Sequence, residues 1–105
     1  MTIYALSSGS GISGVAIIRV SGSEASNVLK SLTGKEIPSP RMATLRKINN
    51  SNTFELIDEG IIIWFPGPES YTGEDMVEIQ VHGSKAVVLA IQEEISKLKN
   101  CRLAE

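Results

Sequence analysis

A chain of 105 residues, 42% hydrophobic and 21% charged, suits one globular domain with a real apolar core and is too short for two; disordered and collagen-like classes fall outside that composition. Its 10 basic and 12 acidic residues leave a formal net charge of -2 and are spread along the chain, so no electrostatic footprint for nucleic acid is evident. No apolar run approaches the ~18 residues of a membrane span, Met1 to Ser7 lacks the blocks of a secretory signal, and the single cysteine, Cys101, allows neither an internal disulfide nor a CxxC site, all of which points to the cytoplasm.

In chain order, Ile3 to Leu6 reads as a short apolar segment leading into the Gly/Ser loop Ser7 to Gly14. Val15 to Val20 is β-branched and apolar on both faces, the pattern of a central strand buried on both sides. Ser21 and Glu24 have capping-box spacing ahead of Ala25, Val28, Leu29 and Leu32 at helical intervals, and Gly34 is a natural stop. After the loop Glu36 to Pro40, Met42 to Ile48 and Phe54 to Phe65 predict two strands of a hairpin turning through Asn49 to Asn52.

The Pro/Gly loop that follows feeds a strand from Met76 to His82. Ser84 then caps a helix running to about Lys99, with Val88, Ile91, Ile95 and Leu98 as its buried stripe and Glu93 with Lys97 as an exposed pair. Asn100 ends it, and Arg102 to Glu105 begins something the sequence does not complete. The order predicts a single α+β domain with a mixed sheet and its helices on one face.

Gly9-Ser10-Gly11-Ile12-Ser13-Gly14 matches G-x-G-x-x-G, but a dinucleotide fingerprint must open a helix and here a strand follows. A flexible connection or a backbone edge over a ligand suits these glycines better. Gly34-Lys35 is no P-loop, because Glu36 stands where Ser or Thr is required.

Arg19 interrupts an apolar strand and needs a partner: Glu78, backbone carbonyls, solvent at the strand end, or a ligand carboxylate or carbonyl. Alternation puts Glu78, Gln80 and His82 on one side of their strand. Glu78 is either a solvated carboxylate or an acceptor for an aminopyrimidine edge such as that of a pterin or purine. His82 lacks a second histidine for a metal site, so a structural hydrogen bond suits it better than catalysis. Glu74 and Asp75 point oppositely in an extended chain, which favours ordering of the turn over paired-carboxylate chemistry. Cys101, beside Lys99 and Arg102, reads as an exposed, somewhat activated but incidental thiol.

Ser13 to Gly22, Asp58-Glu59-Gly60, Phe65 to Gln80 with its Pro-Gly-Pro-Glu-Ser-Tyr-Thr-Gly-Glu-Asp core, and His82-Gly83 together resemble the N-terminal domain of the MnmE/TrmE family of tRNA-modifying GTPases, over essentially the whole chain. Ser8 to Ser13 lacks the prolines and arginine frequent there, and Ser84 replaces a usual second glycine. The resemblance implies a fold similar to aminomethyltransferase-type folate-binding domains, binding of a tetrahydrofolate derivative such as 5-formyl-tetrahydrofolate, and homodimerisation. It implies Arg19 and Glu78 as folate-binding residues, with Tyr71, Thr72 and His82 as further lining, and no catalytic or metal-binding residue in this segment.

In whole family proteins a helical domain with an inserted GTPase follows, so GTP, Mg and K are implied to bind outside this segment. A flavin-dependent partner, MnmG (GidA), completes a complex acting on the wobble uridine of tRNA, with the folate as implied one-carbon donor. Family sequences continue past Glu105 with a Pro-Gly-Glu-Phe segment of the same site, so residues 1–105 are expected to be a fragment in which folate binding is weakened or lost. A pure dimerisation domain without ligand binding is the alternative.

Overall fold

A computed structural model describes residues 1–6 and 14–104; the glycine loop of residues 7–13, and with it the reading of that loop, lies outside the described residues. The described elements are β1 (Thr2–Leu6), β2 (Val15–Ser21), α1 (Ala25–Thr33), β3 (Thr44–Asn49), β4 (Leu56–Phe65), β5 (Met76–His82), α2 (Lys85–Ser96) and β6 (Cys101–Leu103). They form a six-stranded sheet of order β3-β4-β5-β2-β1-β6. Every pairing is antiparallel except β1 with β6, so the sheet is mixed and the fold is α+β, as the sequence predicts.

Alternation along the strands sends Ile18 and Val20 of β2, Ile62 and Trp64 of β4, and Val77 and Ile79 of β5 into one core with Val28, Leu29 and Leu32 of α1 and Ile91 and Ile95 of α2. Burying each such side chain is worth about 1.5–3 kcal/mol, and truncating one to alanine costs about 2–5 kcal/mol. Among the described residues the opposite sheet face carries no helix. Ile17 and Arg19 are therefore only half-buried and Val15 is exposed, so β2 is packed on one side and not, as its composition predicts, on both.

Several local expectations are corrected. Ser21 is the last residue of β2, and Glu24, not Ser21, is the N-cap of α1, with no side-chain capping bond. The Glu24 N–H instead donates to Thr2 Oγ1 at 2.8 Å, tying the helix start to β1. Gly34 does close α1, in a left-handed conformation with φ 67°. The hairpin strands begin later than the apolar pattern suggests. Phe54 is held in the turn at φ 62°, its N–H bonded to Asn50 O at 2.8 Å, while Asn50 Oδ1 accepts from the N–H groups of Asn52 and Thr53 at 2.8 and 3.1 Å.

Ser84 caps α2 as expected, accepting from the Val87 N–H at 3.2 Å, but the helix ends at Ser96 and not near Lys99. Lys97 pairs with Glu94 at 2.6 Å rather than with Glu93, because Glu94 is the buried carboxylate. Glu94 also accepts from the Ser51 N–H and hydroxyl at 2.9 and 2.8 Å, pinning the hairpin turn to the helix. The final residues, unassigned from sequence, supply β6 beside β1. Cys101 lies there half-buried against the core, where burial and then the nearby Glu24 charge push its thiol up, so the exposed, activated reading does not hold.

Candidate functional site

The helix-free sheet face is where the odd residues of the sequence meet. Register places Arg19 of β2 directly opposite Glu78 of β5, and Glu78 opposite Ile63 of β4. Arg19 Nε donates to Glu78 Oε1 at 3.0 Å. Gln80, two residues further along β5, donates from Nε2 to Glu78 Oε2 at 2.7 Å. Among the alternatives open for Arg19, the internal bond to Glu78 is the one formed. The Glu78 side chain is only 9% exposed and the Arg19 side chain 42%, so the carboxylate sits at the floor of the face with the guanidinium opening toward solvent.

Both Glu78 oxygens thus hold a donor, and each retains acceptor capacity. Nε is the only Arg19 side-chain atom hydrogen-bonded to another described residue, and the two Nη groups carry further donors. The combination offers an acceptor and a pair of donors side by side, flanked by apolar Ile17, Ile61 and Ile63 on the same face.

The loop between β4 and β5 roofs one end of this array. Its conformation is set by Asp75, whose Oδ1 accepts from the Gly67 N–H at 2.9 Å, in line with a turn-ordering role. The backbone at Gly67 packs so tightly that a Cβ would come within 2.8 Å of Gly73 O. The loop carries Tyr71 to 5.2 Å from the Arg19 guanidinium, ring face to cation, and to 5.9 Å from the Phe65 ring. Thr72 Oγ1 lies 2.6 Å from Ser21 Oγ, fastening the loop to the end of β2. Tyr71 remains 76% exposed, so much of the ring is open for stacking. A cleft of about 370 Å³ lies beside it, between Arg41, Phe65, Glu69 and Ser70.

Arg19, Glu78, Tyr71 and Thr72 are therefore brought together, and His82 is not. It lies four residues from Glu78 along β5, ~14 Å at strand rise. Its Nδ1 is 2.9 and 3.0 Å from the Asp58 oxygens, and its backbone N–H donates to Asp58 Oδ2 at 2.9 Å. Burial pushes the Asp58 carboxyl up, but the hydrogen bonds from His82 outweigh it and hold the group below its ordinary 3.8. The arrangement latches β5 to β4. Sequence reasoning read Ser21 as a cap and Asp58 only as part of a family motif, and the partners Thr72 and His82 were not foreseen for either. Among the described residues no group of three or more His, Cys, Asp or Glu side chains gathers to hold a metal, and no helix is long and apolar enough to cross a membrane.

Comparison with known proteins agrees with the motifs on this face. The family model described as GTP-binding protein TrmE N-terminus matches residues 2–105. The tRNA modification GTPase MnmE of Pelagibacter ubique is 68% identical over 105 residues, covering 100% of this chain and 24% of its own length. The Sinorhizobium medicae tRNA modification GTPase MnmE is 51% identical over 104 residues, 99% of this chain and 23% of its own. A mitochondrial 5-taurinomethyluridine-tRNA synthase subunit, GTPB3, from Danio rerio is 45% identical over 104 residues, 99% of this chain and 21% of its own. The chain spans about a quarter of the length of the curated relatives it matches. With a family model matching residues 2–105 and these identities over nearly the whole chain, the chain belongs to the TrmE N-terminal family.

Proposed function

We propose that this chain is the folate-binding, homodimerising N-terminal module of a longer cytoplasmic tRNA-modification GTPase, with 5-formyl-tetrahydrofolate or a related one-carbon folate as its ligand. The observation that carries the reading is the Arg19–Glu78–Gln80 array under the Tyr71 ring. A pteridine presents an amino-pyrimidine donor edge, a ring carbonyl and a flat π-surface. Glu78 supplies the acceptor, the Arg19 Nη groups and Gln80 supply donors, and the open ring of Tyr71 supplies a stacking surface.

When bound, the folate provides the one-carbon unit. The chain's own residues fix the orientation of the heterocycle, and the apolar floor around Ile17 and Ile63 limits water around it. GTP with its Mg and K ions, the MnmG partner and the tRNA engage other parts of the full-length protein in this reading. The names of the relatives, tRNA modification GTPases, support the assignment of the parent activity.

Homodimerisation is supported by the same face. Around the polar array Val15 is 49% exposed and Ile3 39%, side chains that a second copy would cover. Calorimetric titration with 5-formyl-tetrahydrofolate, on the chain, on the full-length protein and on its Arg19→Ala variant, tests the ligand. Binding to the full-length protein that Arg19→Ala abolishes supports the reading, and a silent titration of the full-length protein removes it. Sedimentation of the same samples with and without folate separates a ligand-binding dimer from a dimer indifferent to folate.

A further inference from the structure

A concentration of positive charge with no assigned role lies at the β3 edge, away from the array. A cleft of about 490 Å³ runs there between the end of α1 and β3, and Lys35, Arg46 and Lys47 border it with Asn49, Leu45 and Glu59. None of the three cations is in an ion pair among the described residues. Arg46 Nη1 is bonded to the Leu45 carbonyl at 3.1 Å, while its Nε is buried with no hydrogen-bond partner. A guanidinium N–H left in that state is costly, and a side chain that swings toward an anion in the cleft gives it an acceptor. Part of the Lys35 charge offsets the partial negative charge at the C-terminal end of α1. Glu59, opposite Lys47 in the register, is the one carboxylate that opposes an anion here.

The cleft shares lining residues with the proposed folate face. A shallower cleft of about 220 Å³ passes Gln80, Ile61, Val15 and His82, and Leu45 and Glu59 line both clefts. Gln80 holds Glu78, and apolar Ile61 and Leu45 lie between the array and Lys47 on one sheet face, with Arg46 and Lys35 lining the cleft around the β3 edge. Register sets the distance: Glu78 is opposite Ile63 and Lys47 opposite Glu59. That is a separation of two strands across and four residues along, or ~17 Å at standard sheet spacings. The order of chemistry along this face is heterocycle-binding groups, then apolar floor, then cations.

We propose that this cationic cleft takes the oligo-γ-glutamyl tail of a folate whose pteridine occupies the Arg19–Glu78 array; the inference rests on the folate reading and adds the ligand's tail class to it. A folate has the matching order: a hydrogen-bonding bicycle, an aromatic spacer, and a chain of carboxylates that lengthens by one anion with each added glutamate. Lys35 and Lys47 meet those carboxylates at the exposed edge, and Arg46 meets them from the inner wall.

The test is a pair of titrations of the full-length protein with 5-formyl-tetrahydrofolate carrying one glutamate and carrying five. The expected result is about tenfold tighter binding of the pentaglutamate at moderate salt, with the ratio falling toward one in Lys35→Gln/Lys47→Gln, which keeps Arg46 in place, and in that variant combined with Arg46→Gln. Glu59→Gln is expected to widen the ratio. Equal affinity for the two ligands overturns the inference and leaves the folate reading standing. A preference that survives both cleft variants overturns the placement of the tail. No binding of either ligand overturns the folate reading and the inference with it.

Discussion

Replacing Arg19 with methionine removes the guanidinium from a carboxylate that is only 9% exposed and leaves Gln80 as its one remaining hydrogen-bonding side chain among the described residues. With charge centres roughly 4 Å apart and an effective dielectric near 20, the lost attraction is about 4 kcal/mol. Because the Arg19 side chain is 42% exposed, solvent screening reduces that to about 2 kcal/mol. For a domain of this size that is a fall in Tm of roughly 10 °C. Urea denaturation followed by Trp64 fluorescence gives the free energy directly. The loss belongs to the pair, so Arg19→Met/Glu78→Gln, which removes both charges and keeps an amide beside Gln80, is expected to recover at least half of it. A single-variant cost below about 0.5 kcal/mol, or a double variant no more stable than the single one, refutes the reasoning that Glu78 depends on Arg19.

Acid should unfold the protein through Asp58 and Glu94, whose carboxyls are both held below their ordinary values of 3.8 and 4.5. For Glu94, burial opposes the shift, and the hydrogen bonds from Lys97 and Ser51 prevail. A folded-state pKa below the unfolded one contributes stability that is full above the unfolded value and is lost as pH falls through the folded value. The urea midpoint is therefore expected to hold from neutral pH to about 5 and to drop below 4.5, with Glu94→Gln flattening that drop. Gly60→Ala would put a Cβ 2.2 Å from Gln80 O, forcing β4 and β5 apart at a cost of about 2 kcal/mol or more in the same assay. Tyr71→Ala removes a ring that is 76% exposed; stability should change by about 0.5 kcal/mol, the cation–π contact, while folate affinity falls about tenfold through lost stacking.

What could be read in the sequence was what local patterning determines. The α+β class, the hairpin, the Gly34 stop, the Ser84 cap and the polar side of β5 follow from side-chain period and turn chemistry, and the structure has all of them. The misreadings arise where a distant partner decides. Ser21 has capping spacing, but the Thr72 hydroxyl and the pairing of Ser21 with Met76 keep it in β2. Lys97 has a Glu four residues back, yet the buried Glu94 holds it instead. β6 is three residues long and exists only because β1 offers it an edge.

In the site, Arg19 and Glu78 stood out as charges in apolar strands, and register makes them neighbours although they are 59 residues apart in sequence. Tyr71 and Thr72 entered through motif resemblance, since nothing in residues 65–75 alone shows that the loop folds back over β2. The cationic cleft was not legible at all. Lys35 follows a helix while Arg46 and Lys47 alternate on an edge strand, and only the packing of α1 against β3 brings them together.

The central claim is that the Arg19–Glu78–Gln80 array under Tyr71 receives a folate. The most direct measurement is backbone and side-chain amide NMR of the isotopically labelled protein during titration with 5-formyl-tetrahydrofolate. The account predicts saturable shifts concentrated at Arg19 Nε–H, Gln80 Nε2–H and the amides of Tyr71, Thr72 and Glu78, with the buried α1 amides of Val28 and Leu29 unmoved. Shifts confined to residues away from this face, or none at all in the full-length protein, would contradict it.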